Sequence, residues 1–125
     1  MTTYTHDPRL LESVPWEPIL ARSNDPVRRV GALLILSDGR EFPGTNRIEW
    51  QAGMAHMEWL WKMNRNVGRG LVRHAEVDSI FAAVDLGVTN FLGATLIVTL
   101  SPCQPCRNLI EACGINEVFY GEEYA

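Results

Sequence analysis

Four side chains in this sequence have the types and spacing to hold and use a metal ion. His74 and Glu76 are separated by one residue, and Cys103 and Cys106 are separated by two. One imidazole and two thiolates form a ligand set that suits zinc. Two sulfur atoms at this spacing lie one helical turn apart, so both can reach one ion if a helix starts there. The pattern therefore predicts a zinc site formed by His74, Cys103 and Cys106.

The number of ligands indicates a catalytic zinc site rather than a structural one, because three protein ligands leave the fourth tetrahedral position to water. Glu76 is close enough to His74 to touch that water without binding the metal. Its carboxylate can take a proton from the water and later deliver it to a leaving amine. Glu76 is therefore the candidate catalytic acid and base.

Two other interpretations of these residues stay open at the level of sequence. A lone Cys-x-x-Cys pair in a cytosolic protein can be a redox pair. A closed structural zinc site needs a fourth ligand, for which the candidates are Cys113, His56 and His6. Neither interpretation requires an acidic residue beside the histidine, so the catalytic one accounts for more of the pattern.

Length and composition predict a single domain over residues 1–125 with its own apolar core. No apolar run approaches the length of a membrane span, and the N-terminus lacks the features of a secretory signal. With two of three cysteines in the metal motif, Cys113 has no intramolecular partner, which indicates a reducing cytoplasm. The net charge of −4 gives no support to broad electrostatic binding of nucleic acid.

The first part of the chain predicts an arm, a short helix and two strands. Residues 1–14 are expected to form a loose arm, and residues 16–22 a helix that ends before a proline. An apolar run over residues 30–36 followed by a turn sequence predicts a strand. The chain should return as a second strand over residues 40–42, followed by a loop at Gly44-Thr45-Asn46.

The middle of the chain predicts an amphipathic helix over residues 48–63, because Trp50, Met54, Met57 and Trp61 recur at roughly helical spacing. A basic, glycine-containing loop follows over residues 64–70. We expect part of the helix to pack against a neighbouring subunit; the alternative is that its apolar stripe completes the core of the monomer.

The last part of the chain predicts helix, strand, helix and strand. Val77, Ile80, Phe81 and Val84 form one helical stripe that ends near Gly87. Residues 94–100 predict a central strand, residues 103–112 a helix closed by a glycine, and residues 115–120 the last strand. A strand-helix-strand unit implies a parallel pair. The expected fold is α/β, a three-layer α-β-α sandwich with one mixed sheet.

With these elements placed, the sequence resembles the cytidine and deoxycytidylate deaminase superfamily, and more narrowly its deoxycytidylate (dCMP) deaminase branch. The specific part of the resemblance is His74-Ala75-Glu76 followed by Pro102-Cys103-Gln104-Pro105-Cys106. Ser23-x-Asp25-Pro26 is similar to the opening motif of that branch, and Gly44-Thr45-Asn46 resembles the loop that contacts the substrate's sugar. The resemblance covers about residues 16–124.

The resemblance implies hydrolytic deamination of a pyrimidine deoxynucleotide, most simply dCMP to dUMP and ammonia, with Zn²⁺ as cofactor. It implies that Glu76 moves the proton, that the backbone N–H of Ala75 meets the base carbonyl and that Asn46 binds the sugar. For the phosphate we expect Arg28 or Arg47. The alternatives are a small helix-start residue for Ala75, a turn residue for Asn46 and solvated surface positions for the two arginines.

The expected partner is a small-molecule nucleotide, in a homo-oligomer that binds neither a membrane nor nucleic acid. Two other function classes share the zinc motif. One is a deaminase of another base or nucleoside, or of adenosine in tRNA, and the acidic net charge argues against the tRNA substrate. The other is a non-catalytic, zinc-stabilised binding module, which would have no use for Glu76 as a proton carrier.

Overall fold

The computed structural model describes residues 1–25, 28–48 and 72–124. The strands in these ranges are β1 (Thr3–His6), β2 (Gly31–Ile35), β3 (Glu41–Thr45), β4 (Arg47–Ile48), β5 (Val72–Arg73), β6 (Thr95–Leu100) and β7 (Glu117–Glu122). The helices there are α1 (Leu10–Ser13), α2 (Trp16–Leu20), α3 (Ala75–Asp85) and α4 (Gln104–Cys113). None of these helices combines the length and apolar character needed to cross a membrane.

Five of the strands form one mixed sheet in the order β1-β7-β6-β2-β3. The central strand β6 runs parallel to β7, and β7 runs parallel to β1, whereas β2 is antiparallel to both β6 and β3. Strands β4 and β5 form a separate antiparallel pair. The predicted mixed sheet, its central strand and its parallel crossover through α4 are confirmed.

Two glycines show that helices cover both faces of the sheet. A Cβ atom on Gly31 would lie 2.9 Å from the ring of Trp16 in α2, whereas a Cβ on Gly44 would contact the backbone of Ser79 in α3. Gly31 is paired with Thr45, and paired residues face the same side of a sheet. Gly44 is the neighbour of Thr45 in β3 and therefore faces the opposite side from Gly31. Helices α2 and α3 therefore lie on opposite faces, which confirms the three-layer α-β-α arrangement.

The main core lies between the sheet and helices α3 and α4. Alternate residues of the three inner strands point into it, as the period of two in a strand requires. Its fully buried apolar side chains include Ala32, Leu34, Leu96, Val98, Val118, Ile80, Ala83, Ile110 and Ile115. This core fixes the sheet against the starts of both helices, where the predicted zinc ligands lie.

The N-terminal residues do not form the expected loose arm. Residues 3–6 form β1, which pairs in parallel with β7, and residues 10–13 form α1. The hydroxyl of Thr2 donates to the carbonyl oxygen of Ile115 at 2.6 Å, and the ring of His6 stacks on Tyr120 at 5.2 Å. A short, mostly exposed edge strand carries little hydrophobic pattern, so the open edge of β7 decides its conformation.

Helix α3 has nearly the predicted bounds but buries a different face. Ile80 is buried as expected, whereas Phe81 and Val84 are 46% and 50% exposed. The buried positions also include the small residues Ala75, Ser79 and Ala83. The helix approaches β3 so closely at Gly44 that small side chains must form the contact, which leaves the larger apolar ones outside.

Strand β3 continues past its expected end at residue 42 and includes Pro43, Gly44 and Thr45. Pro43 is tolerated because β3 is the edge strand of the described sheet, where its missing N–H disrupts no further pairing. Asn46 is thus the single residue between β3 and β4. The predictions for residues 48–63 and 64–70 lie outside the described residues, apart from Ile48, which is in β4 rather than in a helix.

Candidate metal centre and active site

The predicted zinc ligands lie at the starts of α3 and α4. His74 is the N-cap residue of α3, Cys103 is the N-cap residue of α4, and Cys106 follows within the first turn of α4. Backbone N–H groups in a first helical turn have no intrahelical acceptor, and together with the helix dipole they favour negative charge on a nearby sulfur. The fold thus brings the ligands together at two helix N-termini.

The distances from His74 to the two cysteines fit a zinc ion. Nδ1 of His74 lies 3.2 Å from Sγ of Cys106 and 3.4 Å from Sγ of Cys103. In a tetrahedral site with Zn–S near 2.3 Å and Zn–N near 2.0 Å, a sulfur and a nitrogen ligand lie about 3.5 Å apart. Among the described residues, this is the group whose His, Cys, Asp or Glu atoms converge closely enough to hold a metal.

The candidates for a fourth protein ligand do not join this group within the described chain. Cys113 packs against the hydrophobic core, and burial raises the pKa of its thiol. His6 stacks on Tyr120 in the sheet. His56 lies outside the described residues. The described part of the chain therefore supplies three ligands.

Glu76 is buried, with 4% of its surface exposed, in the first turn of α3. Burial raises the pKa of Glu76 to about 7 because the carboxylate loses hydration, although hydrogen bonds, one of them with Cys106, oppose the shift. A carboxyl group in this condition can hold a proton or release it near neutral pH. Its place beside the metal ligands is the one that a proton carrier needs.

Burial also shifts the pKa values of two of the metal ligands, His74 and Cys106. It lowers the pKa of His74 and so favours the neutral imidazole, the form that binds metals. It raises the pKa of the Cys106 thiol, and the neighbouring Glu76 carboxylate raises that pKa further. The helix N-terminus alone does not outweigh this loss of hydration, so the Cys106 thiolate depends on the positive charge of a bound metal.

A cavity of about 600 Å³ opens beside the metal ligands, within the usual range for small-molecule sites. His74, Ala75, Glu76 and Cys103 line one part of it, and Asn46 lines another. The N–H of Ala75 belongs to the first turn of α3, where it has no intrahelical acceptor. This N–H is therefore a suitable donor to a carbonyl oxygen in the cavity.

The side-chain amide of Asn46 lies within hydrogen-bond distance of four groups in the chain. Its Oδ1 accepts from the hydroxyl of Ser23 and from the backbone N–H of Val30, both at 2.8 Å. Its Nδ2 donates to Oδ2 of Asp25 at 3.1 Å and to the carbonyl oxygen of Arg28 at 2.8 Å. The single hydroxyl proton of Ser23 is shared between Oδ1 and the backbone carbonyl oxygen of Asn46, which lies 2.7 Å away. Both N–H donors of the amide are used, so Asn46 could donate to a sugar only by giving up one of these bonds.

The chain matches the family described as the cytidine and deoxycytidylate deaminase zinc-binding region over residues 17–122. This chain belongs to that deaminase family. The match includes both helix starts that carry the zinc ligands.

Curated relatives in the family are deoxycytidylate deaminases of bacterial viruses. The chain is 39% identical to that of Enterobacteria phage T4 over 70 residues, which are 56% of this chain and 32% of the relative. It is 53% identical to that of Mycobacterium phage D29 over 34 residues, which are 27% of each protein. The matched stretches thus span about a third or less of these relatives.

Solved structures of the family share the fold. The dCMP deaminase from cyanophage S-TIM5, crystallised with dCMP and dUMP, has a TM-score of 0.63 and 24% identity, covering 86% of this chain and 76% of that one. The cytidine deaminase from Mycobacterium tuberculosis has a TM-score of 0.58 and 23% identity, covering 82% and 75%. The expected cytidine deaminase-like fold is therefore confirmed.

The two arginines that we expected at the phosphate of a deaminase substrate are not among the described lining residues of the cavity. Arg28 pairs with Glu122 at 2.9 Å, and Arg47 donates to the carbonyl oxygen of Arg22 at 3.2 Å. The cationic side chain among the described lining residues is Arg107, which the sequence analysis did not single out. Its position directly after the second cysteine of the motif is the signal that would have identified it.

Proposed function

We propose that this chain catalyses the zinc-dependent hydrolytic deamination of dCMP to dUMP and ammonia. The observation that carries the proposal is the convergence of His74, Cys103 and Cys106 in one group beside a cavity that the buried Glu76 lines. The deoxycytidylate deaminases among the curated relatives support the choice of substrate.

In this mechanism, His74, Cys103 and Cys106 would hold a zinc ion, which would supply an activated water as the nucleophile. Glu76 would carry one proton from the water to the pyrimidine N3 and then a second proton, from the new hydroxyl on C4, to the departing amino group, so that one water and one dCMP give dUMP and ammonia. The N–H of Ala75 donates to the carbonyl oxygen of the base and fixes the ring in the cavity. Burial of Glu76 keeps bulk water from competing for the proton.

The proposal extends to compartment and assembly. Cys103 and Cys106 are free thiols, and they serve as ligands only while reduced, so we place the protein in the reducing cytoplasm.

We also propose a homo-oligomer. On α3, Val77, Phe81 and Val84 share one outer stripe, and two of them are about half exposed. A second copy of the chain could cover this stripe.

A substrate panel tests the reaction. Ammonia release is measured from dCMP, CMP, deoxycytidine, cytidine and 5-methyl- and 5-hydroxymethyl-dCMP, and tRNA binding is followed by fluorescence at low and high salt. We expect dCMP to react best and tRNA not to bind. A clear preference for another base or nucleoside, or salt-dependent tRNA binding, would contradict the choice of dCMP.

Glu76→Gln tests the mechanism separately from the substrate. The amide keeps the shape of the side chain but cannot carry the proton, so zinc content and fold should persist while the rate falls about 10²- to 10⁴-fold. Asp85→Asn makes the same chemical change at an exposed position of α3 and should leave the rate unchanged. Activity of Glu76→Gln within a few-fold of wild type would show that another group carries the proton.

A further inference from the structure

We propose that Arg107 is the phosphate-binding residue of this cavity and makes the site selective for a nucleoside 5′-monophosphate over the free nucleoside. The inference rests on the proposed deaminase function, because it concerns the same cavity. It is proposed in place of Arg28 and Arg47, which the sequence favoured and which are not among the described lining residues.

Arg107 is held in place at two points beside the metal ligands. It follows Cys106 directly in α4, and its side chain is partly buried. Its Nε donates to the carbonyl oxygen of Pro102 at 3.3 Å. Its guanidinium carbon lies 4.4 Å from the centroid of the Tyr4 ring, a cation–π contact. A side chain restrained in this way loses less conformational entropy when it binds a ligand.

Most of the guanidinium's donors have no partner among the described residues. An arginine has five N–H donors, and the bond to Pro102 uses one of them. The ion pairs of the described chain involve Arg9, Arg28, Arg40 and Arg73, and none includes Arg107. The terminal nitrogens are therefore available for two oxygens of a phosphate, the geometry in which arginine binds this group best.

An acidic residue on the same cavity wall, Glu123, provides a second test of Arg107 as the phosphate-binding residue. Glu123 lines the same cavity and is exposed. Its carboxylate would repel a phosphate at Arg107, whereas it would have little effect on an uncharged nucleoside. Neutralising Glu123 and neutralising Arg107 should therefore change the affinity for a monophosphate in opposite directions.

The experiment compares Arg107→Gln, Arg107→Lys and Glu123→Gln with wild type. Binding of dUMP and of deoxyuridine is measured by calorimetry, and kcat/KM is measured for dCMP and deoxycytidine. Arg107→Gln should weaken dUMP binding about 10- to 100-fold, the value of a hydrogen bond to a charged group, with deoxyuridine unchanged. Arg107→Lys should be intermediate because it keeps the charge but not the planar fork. Glu123→Gln should tighten dUMP binding.

The control is Arg40→Gln, which removes an exposed arginine that pairs with Asp38 in the turn between β2 and β3. It should change none of these quantities. Zinc content and thermal unfolding are recorded for every variant. If Arg107→Gln fails to fold, the same comparison of phosphorylated and unphosphorylated ligands in Arg107→Lys decides the question.

Equal losses for dUMP and deoxyuridine in the Arg107 variants, or loss of zinc, would overturn the proposal and show that Arg107 only anchors the loop at Pro102. Loss of the phosphate preference in Arg28→Gln or Arg47→Gln, with Arg107→Gln unaffected, would overturn it too. Failure of the proposed cytosine deamination looks different, because wild type would then release no ammonia from any cytosine compound.

Discussion

The hydroxyl oxygen of Ser23 lies 2.8 Å from the side-chain Oδ1 of Asn46, 23 positions away in the sequence. Both residues are buried, with 4% and 6% of their surfaces exposed. The bond joins the segment after α2 to the turn between β3 and β4. Because Val30 also bonds to this amide and lines the cavity, the contact sets the position of one cavity wall.

Asn46→Asp should destabilise the protein. An aspartate has no N–H donors, so the bonds to Asp25 and to the carbonyl oxygen of Arg28 are lost and two carboxylates face each other. We expect the free energy of unfolding to fall by on the order of 1–3 kcal/mol, measured by urea unfolding. Asn90→Asp, at an exposed position, is the matched control and should be neutral.

The contrary result for Asn46 would be informative. If Asn46→Asp is as stable as wild type and only raises KM for dCMP, the amide serves the substrate's sugar, as the family resemblance suggested.

Gly44→Ala should lower both stability and activity. The added Cβ would lie 2.6 Å from the carbonyl oxygen of Ala75 and would also contact the backbone of Ser79. Backbone atoms cannot rotate away, so α3 must shift and carry Glu76 with it. The cost of such overpacking is about 1–3 kcal/mol, which thermal unfolding and kcat for dCMP would register together.

The matched control is Gly31→Ala, whose Cβ would meet the ring of Trp16 on the other face of the sheet. That ring can shift without moving α3, so kcat should persist even if stability falls. An unchanged kcat in Gly44→Ala would mean that the close contact does not set the position of Glu76.

Zinc content should be one ion per chain and should depend on Cys103 but not on Cys113. Cys103→Ser removes a ligand, whereas Cys113 lies outside the convergent group. Elemental analysis of the two variants measures this directly.

Removing zinc from wild type with a chelator should lower its thermal stability, since the metal binds only the folded chain. If Cys113→Ser loses zinc as well, the site is closed and the catalytic interpretation fails.

Assembly should depend on the outer stripe of α3. Val84→Glu places a charge on this stripe, where Val84 is 50% exposed. Leu92→Glu makes a comparable change at a 70% exposed position outside the helix. Size-exclusion chromatography with light scattering should show that the first variant dissociates and the second does not. A monomeric wild type at micromolar concentration would contradict the interface. The prediction that residues 48–63 also contribute falls outside the described residues.

The sequence by itself determined the local features of the site. The spacing of Cys103 and Cys106, with prolines before and between them, required both sulfurs at one helix start, and α4 begins there. Gly114 after it adopts a left-handed conformation with φ of 80°, as expected for the residue that closes a helix. The start and end of α4 depend on a few neighbouring residues, so a short window of sequence is enough to predict them.

Only the tertiary structure decided which side chains face the cavity and which serve the fold. The apolar period of α3 allowed more than one buried face, and the close approach of Gly44 selected the one with small residues. Asn46 lines the cavity, as expected of a substrate-binding residue, and the fold also bonds its amide to partners from distant segments. Among the described lining residues the cationic side chain is Arg107 rather than Arg28 or Arg47, because helix direction and strand pairing, rather than proximity in sequence, place a charge beside the site.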